Sequence, residues 1–139
     1  MFLGELVQTI DDLESTVDSF INLIRRINNN GLNLSEAVHS DLLNSTIDYI
    51  DKLQAHRILE CKYNNSVILD IGNTKLKLSE ALELLSAIEL KIKTLETFIN
   101  NHSGQVNVKS TINTKVDLEK ERRALNSVIE SARWTYKIQ

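Results

Sequence analysis

Residues 3–28, LGELVQTIDDLESTVDSFINLIRRIN, decide the fold of this chain. Apolar side chains recur in them at alternating spacings of three and four residues, at Leu3, Leu6, Ile10, Leu13, Val17, Phe20, Ile24 and Ile27. This alternation runs without a break over more than three heptads, which is the pattern of a helix that packs lengthwise on another helix. The segment therefore predicts one long α-helix with an apolar seam, called the α1 seam below.

Helix-breaking residues are scarce in the rest of the chain. The 139 residues contain no proline and four glycines, whereas average usage gives about seven prolines in this length. Three of the glycines, Gly31, Gly72 and Gly104, interrupt stretches with a helical pattern. The breaks predict four helices, at about 3–28, 34–63, 78–101 and 114–137.

The three later helices have apolar stripes of unequal regularity. In the second helix the stripe is irregular and weakens around 54–57; it comprises Val38, Leu43, Ile47, Ile50 and Leu53. The third alternates four and three without a miss, at Leu78, Ala81, Leu85, Ile88, Ile92, Leu95 and Ile99. The fourth carries Leu118, Leu125, Ile129, Ala132 and Tyr136 on one face. Each stripe predicts the side of its helix that is packed.

Two connecting segments are ambiguous. Residues 64–69 (NNSVIL) fit either a helix or a short strand, and 70–73 contain the residues of a loop. Residues 105–112 (QVNVKSTI) alternate apolar and polar side chains, which is the period of a strand. They fit either one arm of a small ribbon or an extended loop. A minor β-ribbon built from 64–76 and 104–113 therefore stays open.

These elements predict an all-α fold in a single domain covering 1–139. We expect an elongated bundle of four long antiparallel helices, arranged as two helical hairpins with coiled-coil-like packing. A chain of this length is sufficient for one domain with its own core.

Composition limits the classes of function. The formal charge is −3 with a pI of about 5.6, so the chain lacks the cationic surplus typical of nucleic-acid binders. Charge is uneven, since residues 1–60 hold four Lys/Arg against ten Asp/Glu and residues 109–139 hold seven against four. No apolar run reaches the length of a membrane span. A single cysteine, Cys61, fits a reducing compartment, and we expect a cytoplasmic or virion location.

Several segments resemble the septicolysin-like family of small helical bacterial proteins. The resemblance rests on Lys77-Leu78-Ser79-Glu80-Ala81-Leu82 opening a helix, on Val116-Asp117-Leu118 opening the last one, and on Ile129 and Trp134 near the C-terminus. Ile27-Asn28 followed by Leu34-Ser35-Glu36-Ala37 is similar to the helix–turn–helix join of that family. The resemblance implies an all-helical oligomer and supplies no catalytic residues.

Candidate chemical sites are weak. Glu36-x-x-His39 has the spacing of a di-iron half-site, but no second Glu-x-x-His exists in the sequence. Cys61 beside Lys62 has no fixed base near it in sequence, and a buried thiol is the expected state. The sequence therefore predicts no catalytic residues, cofactor or metal, and no enzyme.

Oligomerisation is the function that the seam favours. We expect a homo-oligomer, alone or with another protein of a larger assembly, in a structural role. The predicted interface residues are Leu6, Ile10, Leu13, Val17, Phe20, Ile24 and Trp134. The alternative is a binding or regulatory module in which the basic C-terminal helix recognises a partner protein or a nucleic acid. The residues that would serve it are Lys115, Lys120, Arg122 and Arg123, with Trp134 and Tyr136 at the end of the helix. Asp117, Glu119 and Glu121 offset that basic charge, so nucleic acid is the less favoured partner.

Overall fold

The first helix is close to its predicted bounds. The structure, a computed structural model, describes residues 1–31, 36–101 and 108–139. Helix α1 spans Leu3–Asn30 and ends where Gly31 adopts φ +61° and donates its backbone N–H to the Ile27 carbonyl. At the other end, a carboxylate oxygen of Glu5 accepts the Phe2 backbone N–H at 2.8 Å, which satisfies a donor that the helix start leaves free. Local sequence signals therefore set both ends of α1.

Helix α2 spans Glu36–Asn64 and is continuous through 54–57, where its stripe weakens. The predicted start at 34 lies outside the described residues. Helix α2 runs antiparallel to α1, because Glu14 pairs with Arg57 whereas Phe20, further along α1, contacts Tyr49, which lies earlier in α2.

A β-hairpin follows α2. Strand β1 (Ile68–Ile71) pairs antiparallel with β2 (Thr74–Lys77), with Leu69 opposite Leu76. Gly72 and Asn73 form the two-residue turn, and Gly72 has φ +62° while Asn73 does not have a positive φ. This is the combination of a type II′ hairpin turn. The minor ribbon is thus present, but both its arms lie within 68–77.

Helices α3 (Leu78–Asn101) and α4 (Val108–Thr135) complete the chain. The bounds of α3 are those predicted, and Glu80 accepts the Lys77 backbone N–H at 3.1 Å at its start. Helix α4 begins six residues before the predicted 114, so the strand or loop interpretation of 108–112 is wrong, and the remainder of the 104–113 prediction lies outside the described residues. Val116-Asp117-Leu118 accordingly lies inside α4 rather than opening it.

The chain divides into two compact units. One contains residues 1–62 and 137–139, and the other contains residues 63–136. In the first unit Phe2 forms an isolated antiparallel bridge with Lys137, and Ile138 donates its N–H to the Met1 carbonyl at 2.8 Å. The single-domain assignment and the four-helix bundle stay predictions, while the all-α fold with a minor ribbon is confirmed.

Both units contain buried hydrophobic side chains. In the first unit these are Leu3, Leu6, Ile10, Val17, Ile27 and Leu53, and in the second they are Tyr63, Val67, Leu69, Leu78, Ala81, Ile92, Leu125 and Ile129. Full burial of one such side chain contributes about 1.5–3 kcal/mol relative to exposure. The predicted stripes of α3 and α4 supply five of these eight buried residues of the second unit.

Several hydroxyl side chains on the helices are bonded within their own helix. Among the described residues, eight donate to the carbonyl four residues earlier, at distances of 2.6–3.1 Å: Thr9, Thr16, Ser19, Thr46, Thr94, Thr97, Thr114 and Thr135. Among them Thr46 is the buried one, at 5% exposure. Because Thr46 bonds the Leu42 carbonyl at 2.8 Å, its burial leaves no donor unsatisfied.

Candidate functional site

The α1 seam is covered in part within the single chain. Leu6, Ile10 and Val17 are buried, so their predicted place in an interface between copies is corrected: a buried side chain offers no surface to another molecule. Leu13, Phe20 and Ile24 are half-buried. For these three residues the interface assignment stays a prediction.

Helix α2 provides part of that cover. The rings of Phe20 and Tyr49 lie with their centroids 5.5 Å apart at an interplanar angle of 34°. The Glu14 carboxylate accepts a hydrogen bond from the Arg57 guanidinium across the same pair of helices. Part of the α1 seam therefore packs against α2 of the same chain.

Trp134 is 42% exposed near the end of α4, so the indole does not anchor the helix by full burial. The aromatic contact described at this end of the helix joins Tyr136 and Tyr63, whose ring centroids lie 5.7 Å apart. The interface assignment of Trp134 stays a prediction.

The stripe predicted for α2 faces solvent. Leu53 is buried, but Leu43, Ile47 and Ile50 are exposed by 50%, 53% and 41%, so the predicted packed face of α2 is wrong at these positions. Ile58, one turn further on from the stripe, is 65% exposed. The packed side of α2 shares only Leu53 with the predicted stripe. Its residues Leu42, Thr46, Tyr49 and Leu53 are buried or half-buried.

These exposed residues form a continuous line along the helix. We name as the outer row of α2 the residues Leu43, Ile47, Ile50, Gln54, Ile58 and Cys61, which follow one another at spacings of four, three, four, four and three. All six are exposed. Spacings of three and four place these residues along one side of the helix. Extending the four-three count beyond Ile50 finds Gln54 and Cys61, but it gives Arg57 where the row has Ile58, so the count recovers the row only in part.

The second unit has a concave surface instead. A groove of about 560 Å³ runs between α3 and α4 beside the hairpin turn, with an apolar lining that includes Ile88, Leu125 and Val128. Ala87 and Ala124 line it with short side chains, which leave the space open. The charged groups around it are those of Asp70, Lys91 and Glu121. This volume lies within the range of about 300–1,000 Å³ typical of ligand pockets.

The basic charge of α4 is partly neutralised in place. The Lys115 ammonium lies 3.4 Å from a Glu96 carboxylate oxygen and 3.5 Å from one of Glu119. Arg133 pairs with Glu130 at 3.1 Å. These contacts reduce the field that α4 presents to a polyanion.

The residues considered for nucleophilic or metal chemistry are not assembled into a site. The thiol of Cys61 is exposed rather than buried as expected, and His56 Nδ1 lies 2.7 Å from the Lys52 carbonyl oxygen. Within residues 1–31, 36–101 and 108–139, no three His, Cys, Asp or Glu side chains gather as metal ligands. In that same part of the chain, none of the helices has the length and apolar content needed to cross a bilayer.

Two candidate surfaces therefore emerge from the geometry, the outer row of α2 and the α3–α4 groove. Comparison of the chain with protein-family models, with curated proteins and with solved structures gives no match.

Proposed function

We propose that this chain is a non-enzymatic assembly protein that oligomerises by helix–helix packing, in the cytoplasm or in a virus particle. The observation that carries the proposal is the outer row of α2. It is a mostly apolar line, at spacings of three and four residues, that stays exposed in the described part of the chain. Monomeric proteins rarely expose a long contiguous apolar patch, and such patches mark interaction sites.

The proposal moves the interface from α1 to α2. The α1 seam has the more regular sequence pattern, but three of its predicted interface residues are buried. The outer row of α2 has a less regular pattern, but its side chains are accessible. Accessibility decides between them, because an interface gains free energy from apolar area that association removes from water.

The alternative, recognition of a partner by the basic α4, has weaker support. Two of the cations of α4, Lys115 and Arg133, already lie within salt-bridge distance of Glu96, Glu119 and Glu130. Binding of a polyanion would exchange these pairs for phosphate contacts, with a steep salt dependence. Retention on a polyanion column that falls with added salt would favour this alternative over assembly.

Light scattering coupled to size-exclusion chromatography tests the assembly proposal. We expect the unmodified chain to have the mass of an oligomer. Ile47→Asp places a charge in the middle of the outer row and should give a monomer, because an unpaired carboxylate is strongly disfavoured inside an apolar interface.

Ser45→Asp is the matched control. Ser45 is exposed on the same helix, about 160° around the axis from Ile47 at about 100° per residue. Ser45→Asp adds the same negative charge away from the outer row of α2, so we expect this variant to leave the oligomer intact. Unchanged helical circular dichroism in both variants would show that the fold survives. An unmodified chain that stays monomeric at every concentration tested would refute the proposal.

A further inference from the structure

We infer that the partner of the outer row of α2 is the same row of a second copy, with the two α2 helices running antiparallel about a two-fold axis. The inference rests on the proposed function and specifies its partner and geometry. It draws on the area of the row, on the order of charge along α2, and on the position of Cys61.

The exposed area fits a self-complementary pair. Leu43, Ile47, Ile50 and Ile58 have exposed fractions of 41–65%, which amounts to roughly 400 Å² of apolar surface, within the range of about 300–600 Å² for the largest and often functional patch of a monomer. Homodimer interfaces are about 65% apolar. An interface that contains this apolar patch would therefore bury about 600 Å² of total surface on each copy. Two copies would then bury about 1,200 Å² in total, which reaches the lower end of the range for stable interfaces.

The charges along α2 select the direction of pairing. Residues 36–51 hold four Asp/Glu and no Lys or Arg, whereas residues 52–64 hold three Lys/Arg and one Glu. Parallel helices would bring acidic half to acidic half and basic half to basic half. Antiparallel helices bring opposite charges together within a Debye length of about 8–10 Å. Arg57 already pairs with Glu14 of its own chain. When this pair is left out of the count, the first half of α2 is still acidic and the second half is still basic.

The row also sets the register. It extends from Leu43 to Cys61, with its midpoint at Lys52. Matching two rows end to end places Leu43 against Cys61 of the second copy and Ile50 against Gln54 of the second copy. The two Cys61 residues then lie at opposite ends, about 27 Å apart at 1.5 Å of rise per residue. A disulfide needs Cα atoms within about 7 Å, so this geometry forbids a Cys61–Cys61 bond.

Disulfide trapping of the purified full chain distinguishes the arrangements. Under a mild oxidant the unmodified chain should stay unlinked on a non-reducing gel. Leu43→Cys should give a covalent dimer, because the new thiol lies against Cys61 of the second copy. Leu43→Cys combined with Cys61→Ser should lose that dimer, and Ser45→Cys, off the row, should not form it. Light scattering in reductant checks that Leu43→Cys keeps the mass of the unmodified chain.

The other outcomes separate the inference from the function on which it rests. A Cys61–Cys61 dimer of the unmodified chain would mean parallel helices, which overturns the inference and leaves the assembly proposal standing. An oligomer in which Leu43→Cys does not cross-link would also overturn it. If Ala124→Leu, which fills the α3–α4 groove, dissociated that oligomer, the row would instead lie in the groove of another copy. A strict monomer would remove the proposed function itself.

Discussion

The two units bury the apolar surfaces of their helices with different numbers of secondary-structure elements. In the first unit α1 contacts α2 through pairs such as Phe20–Tyr49 and Glu14–Arg57, and the outer row of α2 stays exposed beside the packed side of that helix. In the second unit the β-hairpin packs on the α3–α4 pair, and a concave groove of about 560 Å³ remains. A pair of helices buries one stripe on each helix. A second apolar stripe stays exposed unless a third element covers it.

Local sequence signals operate alike in both units. Helices α1 and α3 each begin with a leucine that is 0% exposed, Leu3 and Leu78, followed two residues later by a glutamate that accepts the backbone N–H just before the helix. We therefore attribute the difference between the outer row of α2 and the α3–α4 groove to the number of packed layers in each unit.

The largest expected effect contrasts a covered side chain with an exposed one. Ile129 in the second unit is 1% exposed and Ile47 in the first is 53% exposed. Ile129→Ala should lower the free energy of unfolding by about 2–5 kcal/mol because it leaves a cavity. Ile47→Ala should lower it by less than about 0.5 kcal/mol once the chain is diluted to monomer, as is usual for exposed positions. Urea unfolding followed by circular dichroism at several protein concentrations measures both.

If Ile47→Ala lowered the free energy of unfolding as much as Ile129→Ala does, at every protein concentration, the contrast between the covered and the exposed side chain would not hold. The outer row of α2 would then belong to the fold of the chain rather than to a surface for a second copy.

A smaller effect concerns the turn of each unit. Gly31 and Gly72 have φ +61° and +62°, and a Cβ at either position would meet no atom within 4 Å. Alanine there carries only the backbone penalty of the left-handed region, about 1–2 kcal/mol. Gly31→Ala and Gly72→Ala should therefore lower the free energy of unfolding by similar amounts in urea titrations. A much larger loss in Gly72→Ala would indicate that the hairpin turn holds more of the second unit together than its backbone angle alone.

The smallest effect concerns the ion pair that links the helices in each unit. Glu14–Arg57 joins α1 to α2 with side chains 42% and 56% exposed, and Glu96–Lys115 joins α3 to α4 at 48% and 27%. Double-mutant cycles to alanine should give couplings of about 0.2–1 kcal/mol for each pair, reduced by added salt because both are solvated. A coupling that salt does not change would mean that the pair is less hydrated than its exposure indicates.

The sequence predicts α1, α3 and both glycine turns well because their signals are local. A seam without a break, a capping glutamate and a left-handed glycine each act within a few residues. The β-hairpin was recognisable in part: Gly72-Asn73 between two apolar runs is a two-residue hairpin signal, but the strand-like 105–112 competed with Thr74–Lys77 as its second arm.

The start of α4 and the face of α2 depend on contacts distant in sequence. Residues 108–112 alternate like a strand yet are helical, since tertiary packing overrides a short periodic pattern. In α2 the packed set includes Thr46, which no hydrophobic count selects, whereas the more apolar Ile47 faces solvent. The candidate site was missed for the same reason: the sequence identifies a second apolar stripe without stating which stripe the chain covers.

The eight helical hydroxyls bonded to their own backbone bear on molecular recognition. Each has already given its proton to a carbonyl, so it can accept a hydrogen bond from an incoming molecule but has no proton left to donate. At these eight positions the helix surfaces are thus poorer in available donors than their composition implies. A molecule that approaches them would meet hydrogen-bond acceptors, so its own donors would make the match.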